Sequence, residues 1–268
     1  MPNGAALSIS YDGAGRPRTS TSPFGAQTTY AYTNLPRTVT ATINGRWTKT
    51  TYDGLGGEVK VETGDGAGTK SVVETEYGPC ACSPVGKVSR VSQPYAPGGT
   101  VYWTNYGYDG LGRVTSIAHP GNSGATTYVY EGNTVKVTDP AGKWKKYTLD
   151  ALGNLVQVTE PNPAGGAEYQ TYYAYNLRGQ LTTVTMPRGR ATQTRTFNYE
   201  LSSGRLLSAT NPENGTVSYT WNADGTLLRK TDAKGQKVEY SYDGHRRVTQ
   251  VRRYKASGTE EACQRACR

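Results

Sequence analysis

The stretch YDGLGRV from Tyr108 to Val114 is nearly repeated as YDGLGGEV from Tyr52 to Val59. Looser copies are YDGAGRP from Tyr11 and YDGHRRV from Tyr242. An Asp that opens a turn accepts hydrogen bonds from backbone N–H groups a few residues on, and a following Gly allows positive φ. Each copy therefore predicts the end of one β-strand, a tight turn and the start of the next strand. We call this element the YD turn, also where a related residue replaces Tyr or Asp.

The phrase recurs along the chain with a period of a little over twenty residues, giving about eleven units. Turns with Pro or Gly lie halfway between copies, as in DPAGK from Asp139 and NPENG from Asn211, and alternating polar and apolar residues flank them. Alternation bounded by turn residues at both ends predicts β-hairpins. Clear copies begin at Tyr11, Tyr52, Tyr108, Leu149, Tyr175, Tyr199, Trp221 and Tyr242, and degenerate ones at Tyr32, Tyr77 and Tyr130.

The sequence predicts an all-β fold of antiparallel hairpin repeats in one sheet, curled or spiralling as an open arc. So many strands exceed the ~10 that open sheets usually sustain before they curl or split. With 33 Gly and 14 Pro, the chain disfavours helices. We predict a lead-in at residues 1–10, a repeat region at 11–254 with an expanded turn around 77–100, and a frayed or truncated tail at 255–268.

The repeated Asp residues are interpreted as turn caps, because a catalytic acid is not needed once per structural unit. The residues expected to build the turns are Tyr11, Asp12, Gly15, Tyr52, Asp53, Gly56, Tyr108, Asp109, Gly112, Asp150, Gly153, Tyr175, Gly179, Trp221, Gly225, Tyr242 and Asp243.

No catalytic, cofactor or metal motif stands out from the repeats. The chain has two His residues and no nucleophile elbow, and GDGAG at residues 64–68 lacks the Lys of a P-loop. Cys80 and Cys82 lie far along the chain from Cys263 and Cys267, without the usual zinc spacing. We expect no enzyme, no cofactor and no metal site, and interpret the first pair as buried or oxidation-sensitive thiols.

The net charge of +9 attracts acidic partners at long range, although no nucleic-acid-binding motif is present. Aromatic and basic residues on one face would suit acidic glycans, whereas cross-strand pairs and solvated strand faces explain the same residues without a ligand. The candidate glycan-binding residues are Trp103, Trp144, Lys143, Lys145, Lys146, Arg246, Arg247, Arg252 and Arg253.

No window approaches the ~18 consecutive apolar residues of a membrane-spanning helix. The first residues, MPNGAALSIS, have neither the basic segment nor the apolar segment of a signal peptide.

The repeated phrase, with its P-x-G turns and Y-x-Y strands from Tyr11 to Tyr254, resembles the YD repeat of the Rhs family, which also occurs in teneurins and insecticidal toxin-complex proteins. The resemblance implies a spiralling β-shell, partners that are further YD repeats or an enclosed toxin domain, and a secreted or cell-surface, typically bacterial, location. Some members have carbohydrate binding attributed to them. The DPAG stretch at residues 139–142 resembles the start of the family's core-ending segment. Because five more units follow it, we interpret it as an internal turn without self-cleavage.

The leading hypothesis is a non-enzymatic shell or scaffold segment that encloses or displays another polypeptide. The alternative is a glycan-binding surface module.

Overall fold

The computed structural model describes residues 6–189 and 191–265, and this part of the chain is all-β. It contains 23 strands, one 3-10 turn at Pro120–Asn122, and no α-helix within the described residues. The predicted all-β class is therefore confirmed.

Two compact units make up the chain. The first comprises residues 1–129 and 137–143, and the second comprises residues 130–136 and 144–268. Two strands, β11 (Ala125–Glu131) and β12 (Thr134–Thr138), contribute residues to both units.

The first unit begins with ten strands. These are β1 (Ser8–Tyr11), β2 (Pro17–Thr21), β3 (Gln27–Asn34), β4 (Arg37–Ile43), β5 (Arg46–Tyr52), β6 (Glu58–Asp65), β7 (Gly68–Cys80), β8 (Ser83–Ser92), β9 (Trp103–Tyr108) and β10 (Val114–Ala118).

The second unit continues with eleven strands. These are β13 (Trp144–Leu149), β14 (Leu155–Glu160), β15 (Tyr169–Tyr175), β16 (Leu181–Arg188), β17 (Ala191–Tyr199), β18 (Leu206–Asn211), β19 (Gly215–Trp221), β20 (Leu227–Thr231), β21 (Lys237–Tyr242), β22 (Val248–Tyr254) and β23 (Glu260–Arg265).

Within each unit the strands pair antiparallel with the strands next to them in the chain. In the first unit the pairing runs from β1 to β11, and β7 joins β6 through residues 68–74 and β8 through residues 75–80. In the second unit it runs from β13 to β23. This order is that of an open sheet of hairpins, in which every second turn lies at the same edge.

Apolar side chains alternate with polar ones along the strands and meet across them. Phe197, Ala209 and Val217 lie opposite one another on β17, β18 and β19, and the latter two are only 7% and 9% exposed. On the other face of the same strands, the hydroxyls of Thr210 and Thr216 are hydrogen-bonded at 2.8 Å. Few residues are fully buried, so stability depends on lateral packing between strands and on ladder hydrogen bonds.

Two segments differ from the sequence prediction. Residues 77–100 do not form one expanded turn: β7 ends at Cys80, β8 begins at Ser83, and a longer connection follows Ser92. In this interval, irregularities in the β7–β8 register absorb extra residues while the strands continue. The segment after Tyr254 includes β23, which pairs with β22 because residues 255–259 form another tight turn.

No helix within the described residues is long and apolar enough to cross a lipid bilayer.

Candidate functional site

The YD turn at Tyr108 shows the geometry that the repeat uses. The N–H of Asp109 donates to the carbonyl of Arg113 at 3.0 Å, and the N–H of Gly112 donates to the carbonyl of Asp109 at 2.9 Å. The Asp109 Oδ1 accepts the N–H groups of Leu111 and Arg113 at 2.9 and 3.0 Å. Gly112 has a φ of 77°, which a residue with a Cβ adopts only at a cost.

Most units reproduce this turn. The two backbone bonds recur in the turns that begin at Asp12, Asp53, Asp150, Asn176, Asn222 and Asp243. At Asp12, Asp53, Asp150, Asn176 and Asp243, the side-chain oxygen also accepts two backbone N–H groups. In the turns that end in glycine, the residues that lie at positive φ are Gly15, Gly56, Gly112, Gly153, Gly179 and Gly225.

Three turns depart from the pattern in ways their sequences explain. The turn at Glu200 is one residue longer, so Glu200 bonds to Arg205 and Gly204. In the turn at Asn222, the Oδ1 of Asp224 accepts the N–H of Thr226 instead. In YDGHRR, Arg246 occupies the glycine position and adopts a φ of 62°.

In most of the described turns, the aromatic residue reaches back to the preceding unit. The Tyr175 hydroxyl donates to the carbonyl of Leu155 at 2.8 Å, where Leu155 is the first residue after the previous YD turn. The strand register shifts between Ala174 and Tyr175, and such a bulge can re-aim a side chain. The corresponding bonds run from Tyr32 to Pro17, Tyr77 to Glu58, Tyr108 to Val88, Tyr199 to Leu181, Trp221 to Leu206 and Tyr242 to Leu227.

Exposure supports this role of the aromatic residue. Tyr11 lies on β1, before which no strand is described, and it is 59% exposed. Tyr108 and Tyr175, which cover a preceding unit, are half-buried. The Tyr108 and Tyr175 rings therefore gain burial from the preceding unit.

The residue after the turn glycine reaches forward to the next unit. The Arg16 guanidinium lies 4.4 Å from the centroid of the Tyr32 ring, and the Lys87 ammonium lies 5.1 Å from that of Tyr108. In the second unit, the Gln180 amide donates to the carbonyl of Gly204 at 2.7 Å. Contacts in both directions link successive YD turns, so the turns form a row along one edge within each unit.

Hydrogen bonds hold the turn carboxylates in their charged form. For Asp243 the backbone N–H of Arg247 lowers the pKa most, and for Asp150 the side-chain amide of Asn154 does so. Partial desolvation opposes the shift at Asp109, but bonds from Arg113 and the backbone outweigh it, so that its pKa is also lowered. Backbone donors occupy these carboxylates, which therefore suit a structural role in the turn better than a role in proton transfer.

Clefts between the strands are lined by both apolar and polar groups. A cleft of about 590 Å³ in the second unit is lined by residues that include Thr183, Thr196, Phe197 and Tyr199, and no His or Cys is among the described residues that line it. Among the described residues, no group of three or more His, Cys, Asp or Glu side chains is placed to hold a metal ion.

The candidate glycan-binding residues are divided between the two units. Trp103 lies on β9 of the first unit, with the Arg90 guanidinium 4.2 Å from its ring centroid. Trp144 lies on β13 of the second unit, with the Lys136 ammonium 4.6 Å from its ring. A cation already lies against each indole ring, as expected for cation–π pairs that stabilise the sheet.

The basic candidates lie on different elements. Lys143 lies in the turn between β12 and β13, and Lys145 and Lys146 follow on β13. Lys145 pairs with Glu160 at 3.0 Å, and Arg247 pairs with Asp243 at 2.7 Å. Eight strands separate β13 from β22 in the chain. Arg246 and Arg247 precede β22, and Arg252 and Arg253 lie on it.

Sequence reasoning missed two features of the site. The contacts between successive turns were not predicted, although an aromatic residue at the same position in most units was a signal for them. The turns at Asp139 and Asp232, at the opposite edge, also use the capping geometry of the YD turn. The pattern Asp-x-x-Gly followed by a polar residue is common to both edges and would have revealed this.

Together, the fold and the repeated turn define an antiparallel β-hairpin repeat protein. Residues 128–167 and 221–260 match the family model described as RHS Repeat. These two segments therefore match the RHS repeat, in agreement with the resemblance of the YD phrase.

No similar sequence was found among curated proteins. The crystal structure of TcdB2-TccC3-Cdc42 aligns with 98% of this chain at 15% identity and a TM-score of 0.44. A Tc holotoxin pore from Photorhabdus luminescens aligns with 94% at 17% identity and 0.44, and a porin-like protein from Bacteroides uniformis with 87% at 12% identity and 0.33. The chain spans 17% and 16% of the two toxin chains and 91% of the porin-like chain.

Proposed function

We propose that this chain is a non-enzymatic wall segment whose sheet encloses or displays another polypeptide. The observation that carries the proposal is that the same contacts link unit after unit through the YD turns, as between Tyr175 and Leu155 and between Gln180 and Gly204. Units repeated in this way form an extended sheet, because each unit contacts and stabilises mainly its neighbours.

The turn chemistry supports a structural role. Asp109 is the acidic residue of the repeated phrase YDGLGRV. Both of its carboxylate oxygens accept hydrogen bonds from donors of the same turn. A catalytic carboxylate needs a free oxygen within reach of a substrate proton. The turn therefore favours a role in backbone order over a role in a reaction.

Hydrogen exchange tests whether the chain behaves as a continuous wall. A scaffold of equivalent units predicts slow exchange in strands from β2 to β22, with faster exchange at the turn tips. Protection confined to one group of strands, with free exchange elsewhere, would contradict the proposal.

A fused reporter tests whether the sheet encloses or displays an attached polypeptide. An unfolded segment with a protease site is attached after Arg268, and its cleavage is compared with the same segment on an unrelated folded domain. Enclosure predicts slower cleavage on this chain, and display predicts equal cleavage while the wall stays intact. Digestion of the wall at the rate of the unfolded segment would contradict both.

A further inference from the structure

The tip of the β7–β8 hairpin contains a feature that no other described YD turn has. Cys80, at the end of β7, and Cys82, two residues later, are joined by a disulfide bond. Cys80 pairs with Ser83 across the hairpin, so the bond closes a small ring at the tip. Both cysteines are half-buried, and Cys80 lines a cleft at this hairpin tip.

The disulfide lies against the next YD turn. A Cβ placed on Gly112 would be 3.0 Å from the Cys82 Sγ and 3.1 Å from the Lys87 Cε. The sulfur and the lysine side chain therefore surround the same glycine. The Lys87 ammonium also donates to the carbonyl of Gly112 at 2.8 Å and faces the Tyr108 ring.

A cleft gives small molecules access to the Cys80–Cys82 disulfide. Its volume is about 270 Å³, and its lining includes Cys80, Ala81, Lys87, Tyr108 and Asp109. The Asp109 carboxylate is held by Arg113 and by the backbone of its own turn, and the Lys87 side chain lies against the same glycine as Cys82. The cleft is of a size for a small thiol.

We propose that the Cys80–Cys82 disulfide is a thiol–disulfide exchange site that accepts small dithiols. A dithiol thiolate attacks the Cys80 sulfur and forms a mixed disulfide with it. The sulfur–sulfur bond breaks, and its electron pair leaves on Cys82 as a thiolate beside Lys87. The second thiol of the reagent then attacks the mixed disulfide, which releases Cys80 and the oxidised cyclic reagent. Two protons from the dithiol complete the two cysteine thiols.

The N–H of Cys82 donates to the Cys80 Sγ at 3.3 Å, whereas the full positive charge of Lys87 lies on the side of Cys82, so Lys87 gives the site its direction. A cation next to a sulfur favours the thiolate, which makes that sulfur the better leaving group. Because Lys87 also bonds to Gly112, the redox state of the cysteines is coupled to the turn at Asp109. We expect reduction to speed hydrogen exchange at residues 110–112 and to leave the turn at Asp150 unchanged.

The first test measures exchange with reduced dithiothreitol. The protein carries Cys263→Ser and Cys267→Ser, so that only the proposed site reacts, and the fraction reduced is followed by alkylation and mass spectrometry. The folded protein should be reduced completely, and Lys87→Met should slow reduction several-fold. Lys234→Met, which removes an exposed lysine from a turn in the second unit, serves as the matched control and should not change the rate.

The second test separates the two sulfurs. Cys80→Ser leaves Cys82 free, and Cys82→Ser leaves Cys80 free. Iodoacetamide should modify Cys82 at lower pH than Cys80, and Lys87→Met should remove the difference. Equal pH profiles for the two cysteines, or a disulfide that resists dithiothreitol until the protein is unfolded, would overturn the proposal. Circular dichroism of each variant confirms that the sheet is retained.

Discussion

The Tyr175 hydroxyl donates a 2.8 Å hydrogen bond to the carbonyl of Leu155, twenty residues earlier in the chain. The bond joins two successive YD turns, and the same bond recurs in both units. A tyrosine is therefore favoured at this position for its hydroxyl as well as for its ring.

Tyr175→Phe should lower the free energy of unfolding by about 1 kcal/mol, the net value of a typical hydrogen bond. The ring remains, so packing is kept while the Leu155 carbonyl loses its partner. Chemical denaturation and hydrogen exchange of β15 and β16 measure the loss. Tyr173→Phe is the control, because no hydrogen bond from the Tyr173 hydroxyl is seen among the described residues. Equal effects of the two substitutions would contradict the role of the hydroxyl.

The YDGLGG turn offers a matched pair of glycines. Gly56 has a φ of 88°, whereas Gly54 does not lie at positive φ and has open space, with nothing within 4 Å, where an alanine methyl group would lie. Gly56→Ala should therefore destabilise the protein by about 1 kcal/mol through backbone strain, while Gly54→Ala should be neutral or slightly stabilising. Thermal unfolding of both variants tests this, and a larger loss at Gly54 would refute the assignment.

Arg246 is the converse case. It adopts a φ of 62° at a position where six other YD turns have glycine. Arg246→Gly should raise the free energy of unfolding by about 0.5 to 1 kcal/mol, since relief of the left-handed strain exceeds the entropy cost of glycine. Arg246→Ala is the control, because it removes the contact with Asp224 at 3.9 Å but keeps the strain. A gain with alanine as large as that with glycine would show that charge, and not backbone conformation, is responsible.

Acid should weaken the YD turns. Hydrogen bonds lower the pKa of Asp150 and Asp243 in the folded protein, so their contribution is present above the ordinary aspartate value. It is lost as the pH falls through the folded values, that is, below about pH 4. Asp150→Asn should reduce the acid sensitivity of the turn. In its own turn, Asn176 accepts the two equivalent backbone N–H groups, and an amide does not titrate in this range.

Stability measured from pH 7 to pH 2 checks this prediction. Glu168→Gln removes an exposed carboxylate outside the turn and should leave the profile unchanged. An Asp150→Asn profile identical to that of the parent protein would show that the carboxylate does not carry the effect.

The hairpins could be predicted from sequence because their determinants are local. Asp109 and Gly112 are three residues apart, so the cap and the positive φ follow from one short phrase. The position of β23 was not predicted, because the segment after Tyr254 has no YD phrase and its strand depends on pairing with β22.

By itself, the sequence determined the all-β class, the period and the chemistry of the YD turn, because each is written within a single repeat. The tertiary structure alone decided which groups meet between repeats: the Tyr175 hydroxyl with Leu155, and Cys82 and Lys87 around Gly112. The physical reason is register, because strand pairing sets which side chains of successive hairpins come within contact distance.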